Sequence, residues 1–163
     1  MNTFTYINGN LYCEGVDVAT IAEKFGTPSY IYSKKTIEDN AKSYVDSFTN
    51  SSNLACFAVK SLSNLSILKI IKDTGCGFDI VSGGELYRAI SIGADPKKII
   101  FSGVGKTTNE IELGIKSGIL SFNVESESEL FRIEKVANNI GYQAPVSIRI
   151  NPDIDSGGHD YIT

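Results

Sequence analysis

Gly77-Phe-Asp-Ile-Val-Ser82-Gly-Gly-Glu85-Leu-Tyr-Arg-Ala89-Ile90-Ser-Ile-Gly93 contains one complete structural unit. Phe78–Val81 is a short apolar run, too short for a helix and suited to a strand buried on both faces. Ser82 and Glu85 have the S/T-x-x-E spacing of a capping box, in which the hydroxyl takes the third helical amide and the glutamate reaches back. Leu86, Ala89 and Ile90 then fall on one helical face. Gly93 ends the unit with the residue that most easily adopts the left-handed conformation closing a helix.

The same unit recurs in both directions along the chain. Further apolar runs lie at Leu54–Val59, Ile99–Phe101, Leu120–Val124 and Val146–Ile150. Helical spacing follows in Leu65, Leu68 and Ile71, in Ile111, Gly114 and Ile115, and in Leu130, Ile133 and Ala137. Thr107–Glu110 and Ser126–Glu129 repeat the capping box, and Gly75, Gly118 and Gly141 repeat the terminator. Strand alternating with crossover helix predicts an α/β fold with a parallel sheet. Five such strands suit either an open doubly wound sheet or part of a (β/α)₈ barrel, which typically needs about 250 residues. The loop opened by Asn151-Pro152-Asp153 runs to Thr163 with no helix pattern, which favours an incomplete barrel.

Residues 1–32 follow another pattern. Tyr6, Asn8-Gly9, Leu11 and Tyr12 predict a small hairpin. A helix over Val18–Phe25 and an aromatic strand over Ser29–Tyr32 come next.

Composition narrows the function. The 163 residues are 42% hydrophobic with a formal net charge of −4, an ordinary globular balance. Arginine occurs only at Arg88, Arg132 and Arg149, so no basic stripe is present to hold nucleic acid. Three cysteines without CxxC spacing and the single histidine His159 make a metal site improbable and fit a reducing compartment. The N-terminus has no signal-peptide pattern, and no run approaches the roughly 18 apolar residues of a membrane span. The expectation is a cytoplasmic protein with neither a membrane nor a nucleic-acid partner.

In such folds the chemistry sits where strands end and helices begin. Those positions are Lys60, Asp79 to Glu85, Ser102 to Thr107, Glu125 to Ser128 and Arg149 to Asp155. Lys60 is either a lysine reaching solvent or one desolvated enough to attack an aldehyde. Asp79 could hold the charge of such a lysine. Arg149 points either at the helix layer or inward, where it needs an anionic or polar partner. Gly103-Val-Gly105-Lys106-Thr107 lacks the first glycine of a Walker loop, since Ile100 occupies that position. It remains a turn that could bind an anion or simply turn. His159, flanked by Gly157-Gly158 and Asp160, reads as a solvated loop residue.

Several motifs in register carry a resemblance. Phe57-Ala-Val-Lys60 with Ser63-Asn-Leu65, Gly77 to Leu86, Ala94-Asp-Pro96, Ile99 to Thr107 and Asn123-Val-Glu-Ser126 follow one another as in the alanine-racemase-fold decarboxylases that use pyridoxal 5′-phosphate (PLP). Ile148-Arg-Ile-Asn-Pro152 and His159-Asp-Tyr-Ile162 resemble the branch of that family acting on meso-diaminopimelate. The resemblance implies a TIM-type barrel, incomplete here, occupying 33–163, with 1–32 belonging to a second β-domain. It implies PLP held by Lys60 as a Schiff base, Asp79 beside that lysine, and Arg149 facing the cofactor's phenolic oxygen. The implied reaction turns meso-2,6-diaminopimelate into L-lysine and CO₂, in a homodimer when full length. Related decarboxylases of ornithine, arginine or carboxynorspermidine, racemases, a non-catalytic PLP-binding barrel and an unrelated flavodoxin-like module are the alternatives. Ser61-Leu62 replace the family's usual Ala-Asn. The family's histidine-glycine-serine segment, its Glu-Pro-Gly-Arg loop and its C-terminal cysteine and tyrosine have no counterpart in these residues. The 163-residue chain is therefore expected to carry the Schiff-base half of a site and to be inactive alone.

Overall fold

A computed structural model describes residues 3–47 and 52–152. The run Asp153–Thr163, with His159 and the expectations placed on it, lies outside the described residues.

The N-terminal unit is a three-stranded antiparallel sheet. Strand β1 (Phe4–Ile7) pairs with β2 (Asn10–Cys13), with Ile7 opposite Asn10. Asn8 and Gly9 connect them at φ 50° and 85°. Positive φ at both positions is what a two-residue type I′ turn demands, and Asn-Gly meets that demand at least cost. Strand β3 (Val16–Asp17) adds to β2, and the Asp17 carboxylate accepts the Ala19 amide to start helix α1 (Val18–Phe25), with the bounds expected. The expected strand at Ser29–Tyr32 does not form. Its aromatic residues favour a strand, but Tyr30 is 91% exposed and among the described residues no neighbour offers a ladder.

Helix α2 (Lys34–Asp46) has no counterpart in the sequence-based expectations. Its Ile37, Ala41 and Val45 pack on the core at i, i+4, i+8 spacing. Ser33 caps it by accepting the Thr36 amide at 2.9 Å. Glu14, just beyond β2, accepts both the Ser33 hydroxyl (2.6 Å) and the Lys35 amide (2.8 Å). That carboxylate fastens the small sheet to the first turn of α2. The Ser33 hydroxyl, then the Lys35 amide, holds the Glu14 carboxyl below its usual range.

The second sheet has five parallel strands in chain order: β4 (Cys56–Ala58), β5 (Gly77–Ile80), β6 (Ile99–Phe101), β7 (Ser121–Val124) and β8 (Val146–Ile148). Helices α3 (Leu65–Asp73), α4 (Gly83–Ser91), α5 (Thr108–Ser117) and α6 (Glu127–Ile140) alternate with them. The order never reverses, as a barrel wall requires and a doubly wound sheet forbids. Strand β6 coincides with its apolar run and β5 is shifted from its run by one residue, while β4, β7 and β8 are shorter than the runs Leu54–Val59, Leu120–Val124 and Val146–Ile150.

Side-chain alternation sorts the sheet faces. Phe78, Ile80, Ile99, Phe101 and Phe122 are buried with Leu68, Leu86, Ile111 and Ile133 from the helices. Phe101 and Phe122 stack with centroids 5.8 Å apart. The intervening Asp79, Ile100 and Asn123 take the opposite, less buried face.

Gly77 shows how tight the wall is. A β-carbon there would overlap the Lys98 backbone carbonyl, which cannot rotate aside as a side chain could, and would press on Cys56 Sγ at 3.0 Å. Gly77→Ala is therefore expected to lower stability by about 1–3 kcal/mol, read as a fall in the urea midpoint at unchanged slope. The Glu14 link yields a second expectation. A carboxyl with a depressed pKa contributes stability above its unfolded value, about 4.3, and loses it as pH falls through the folded value. Hydrogen exchange in residues 3–17 should rise in that lower window, and Glu14→Gln should remove the dependence.

Candidate cofactor site

The strand ends meet the helix starts along one rim, where unpaired amides must find acceptors. Carboxylates supply them. Ser82 caps α4 as expected, but Glu85 reaches one residue beyond the cap and accepts the Val81 amide at 2.7 Å. Glu129 does the same for the Glu125 amide at 2.8 Å, with Ser126 capping α6. Thr107 and Glu110 form the complete reciprocal box on α5. The other oxygen of Glu110 accepts the Gly83 amide at 2.7 Å, joining the start of α5 to the start of α4. This amide, then that of Thr107, holds the Glu110 carboxyl below its usual range.

Inside the rim is a cavity of about 540 Å³. Lys60, Asp79 and Arg149, the three residues singled out from sequence, all line it, together with Ser102, Asn123 and Glu125. Lys60 does not close a strand as expected. Strand β4 stops at Ala58, and a 3₁₀ turn over Val59–Ser61 carries Lys60, closed by Ser61 Oγ donating to the Ala58 carbonyl (2.7 Å) and the Leu62 amide to that of Val59 (3.1 Å). The turn leaves Lys60 exposed while Val59 is fully buried.

Asp79 stands opposite Ala58 in the β4–β5 register, two residues before Lys60. Its Oδ1 is buried and, among the described residues, lacks a hydrogen-bond partner. Such an atom costs free energy unless something completes it. Burial, then the charge of Asp79 and then Cys76, pushes the nearby Cys56 thiol up to about 11.

Arg149 follows β8, anchored by its amide donating to the Val124 carbonyl at 3.0 Å. It sits on the same side of the pleat as Ser147 and Asn123, which face each other in register. Its partner is Glu125: Arg149 Nη1 donates to Glu125 Oε2 at 2.9 Å, and Nε donates to Asn151 Oδ1 at 3.3 Å. Glu125 was legible only as part of a strand-end segment. Its specific role requires knowing that β7 and β8 are neighbours.

The Gly103–Thr107 segment is a turn and not an anion cradle. Lys106 is 1% exposed, and its Nζ donates to the carbonyls of Gly103 and Asn123 (both 2.7 Å) and to Glu129 Oε1 (3.1 Å). With Glu129 also buried, this is an enclosed ion pair, and removal of one partner costs about 3–5 kcal/mol because the other charge is stranded.

The donor set suits an aldehyde-bearing, anionic aromatic cofactor. It offers an exposed primary amine, a carboxylate oxygen still lacking a partner, and a guanidinium with donors left after Glu125 and Asn151. Residues 34–163 match the family described as pyridoxal-dependent decarboxylase, pyridoxal binding domain. The chain belongs to that family, whose cofactor is PLP. It is 48% identical over 163 residues to the diaminopimelate decarboxylase of Pseudomonas aeruginosa and 47% identical over 163 residues to that of Haemophilus influenzae, covering all of this chain and 39% of each relative. The fold superposes on the M. jannaschii diaminopimelate decarboxylase in co-complex with L-lysine with a TM-score of 0.91 at 39% identity, covering 94% of this chain and 37% of that one. Against the Paramecium bursaria Chlorella virus arginine decarboxylase the TM-score is 0.70 at 25% identity, covering 83% of this chain and 37% of that one. The chain thus spans about 39% of the length of the curated relatives it matches. The parallel sheet corresponds to part of their pyridoxal-binding barrel.

The Asp79 charge is testable through Cys56. Asp79→Asn should lower the midpoint of the Cys56 alkylation rate from about 11, while leaving it above the ordinary thiol value of about 8.5, because burial is the larger cause. An unchanged midpoint would remove Asp79 from the neighbourhood assigned to it.

Proposed function

We propose that this chain supplies the lysine-bearing part of the site of a PLP-dependent decarboxylase converting meso-2,6-diaminopimelate to L-lysine and CO₂. The observation that carries the reading is one cavity lined by Lys60, by Asp79 with its unpartnered oxygen, and by Arg149. The similarity to diaminopimelate decarboxylases, one solved with L-lysine, supports that substrate over ornithine or arginine.

The residues divide the work by chemistry. The Lys60 amine would hold the cofactor's aldehyde carbon and yield it to the substrate amine. Asp79 would stabilise the positive charge of that nitrogen while it is protonated. Arg149, held by Glu125, would direct its remaining donors at the cofactor's phenolic oxygen. PLP, when bound, supplies the electron sink that lets the substrate's α-carboxylate leave as CO₂.

The same reading assigns residues 1–32 to a second β-domain and 33–163 to the first part of the barrel. The separate antiparallel sheet and the start of the family match at residue 34 support that division. It further takes the full-length protein to be a cytoplasmic homodimer and the 163-residue chain alone to be inactive, since the family's Glu-Pro-Gly-Arg phosphate loop has no counterpart in these residues.

CO₂ release by the protein expressed from the complete reading frame tests the substrate. Release from meso-diaminopimelate is expected to exceed that from L-ornithine and L-arginine, and Lys60→Ala should reduce it to background while abolishing the visible absorbance of bound PLP. Preference for L-ornithine or L-arginine would move the protein to a neighbouring branch, and an active Lys60→Ala variant would displace the lysine.

A further inference from the structure

Two loops line the cavity together with Lys60: the segment after β6, with Ser102, Gly103 and Val104, and the segment after β7, with Glu125. The first loop starts on one ladder bond, the Ser102 amide donating to the Ile80 carbonyl at 2.8 Å, and beyond it side chains hold the two loops. They are held to each other. Lys106 Nζ donates to Gly103 O on the first loop and to Asn123 O at the end of β7, and it pairs with Glu129 Oε1 on α6. The second oxygen of Glu129 accepts the Glu125 amide at 2.8 Å. Glu125 Oε1 returns to the first loop by accepting the Gly103 amide at 3.2 Å, and Glu125 Oε2 accepts from Arg149 Nη1. Asn123 Nδ2 donates to Ser102 Oγ at 2.9 Å. The circuit is closed, meets the cavity at Ser102, Gly103, Asn123 and Glu125, and contributes one carboxylate to it, that of Glu125.

We infer that the buried Lys106–Glu129 pair is a positioning device for the cofactor site: it fixes the backbone of Glu125, and through the Glu125 carboxylate it fixes Arg149. The inference rests on the reading of the cavity as a PLP site. Burial supports the assignment. Lys106 is enclosed and Glu129 is 4% exposed, so neither can reach a ligand. Yet the ammonium is spent on one loop carbonyl and one strand carbonyl as well as on its counter-ion, more than charge neutralisation requires. Arg149 is half-exposed at the edge of the described sheet, just past the end of β8, where its amide is tied to the Val124 carbonyl while its side chain extends beyond the strand. Among the described residues, the charged contact of its guanidinium is Glu125.

The test uses the protein expressed from the complete reading frame. Lys106→Met combined with Glu129→Gln removes both charges, so no ion is stranded, and the new amide keeps an oxygen for the Glu125 N–H. Hydrogen exchange at the Gly103 and Glu125 amides of the cofactor-free variant is expected to accelerate. Well below the thermal midpoint, the dissociation constant for PLP is expected to rise roughly tenfold and kcat to fall roughly 10²-fold, the scale of a misplaced site group. Adding Glu125→Gln should cause little further loss, because the pair acts through that carboxylate and effects along one path do not add. If that variant does not fold, Lys106→Gln combined with Glu129→Gln, which again strands no charge and keeps an amide donor for the two carbonyls, carries the same measurements. Unchanged PLP affinity and kcat, or losses that multiply with Glu125→Gln, would overturn the positioning role. A parent protein that binds no PLP would instead overturn the cofactor reading itself.

Discussion

Backbone amides left unpaired where parallel strands end and helices begin are the constraint on which this structure depends. Every βα junction generates them, and all the junctions crowd onto one rim of the sheet. Here glutamates answer: Glu85 takes Val81, Glu110 takes Thr107 and Gly83, Glu125 takes Gly103, and Glu129 takes Glu125. Two of these bonds cross between successive units, those of Glu110 and Glu125, so the rim is tied laterally as well as locally. The same bonds concentrate negative charge around the cavity, and Lys60, Lys106 and Arg149 are the cations set against it. Lys106 is consumed within the scaffold, which leaves Lys60 as the accessible amine.

This arrangement explains why cavity chemistry and fold stability are entangled. A carboxylate that accepts an amide cannot be removed without exposing an unsatisfied donor, and an enclosed ammonium cannot lose its counter-ion cheaply. Glu125 has one oxygen in each role, one toward the Gly103 amide and one toward Arg149. Asp79 is the contrast. Its β5 neighbours Phe78 and Ile80 are packed in the core, while Asp79 lines the cavity with a buried Oδ1 that has no partner among the described residues, an arrangement that structural economy alone does not favour.

Much of this was legible in the chain before any coordinates. The S/T-x-x-E spacing located the starts of α4, α5 and α6 because capping is a local interaction, and Asn8-Gly9 located the hairpin because its turn needs two positive φ angles. Strand order followed from short crossovers, which place successive strands side by side. Lys60, Asp79 and Arg149 share a cavity because parallel strands bring their ends to one rim. What could not be read is tertiary. Helix α2 is stabilised by Glu14 from a distant loop, Ser29–Tyr32 fails as a strand for want of a partner, and Lys106 is enclosed by a carboxylate 23 positions along the chain. In sequence, Gly103 to Thr107 looks like a turn able to hold an anion. In the fold, its lysine is already taken.

The central claim is that Lys60, and not the enclosed Lys106 or any other lysine, is the residue that bonds the cofactor. Borohydride reduction of the PLP-loaded full-length protein, followed by proteolysis and mass mapping of the phosphopyridoxyl group, tests it directly. The account predicts a single labelled peptide containing Phe57-Ala-Val-Lys60. A label on any other lysine, or no covalent label on a protein that nonetheless decarboxylates its substrate, would contradict it.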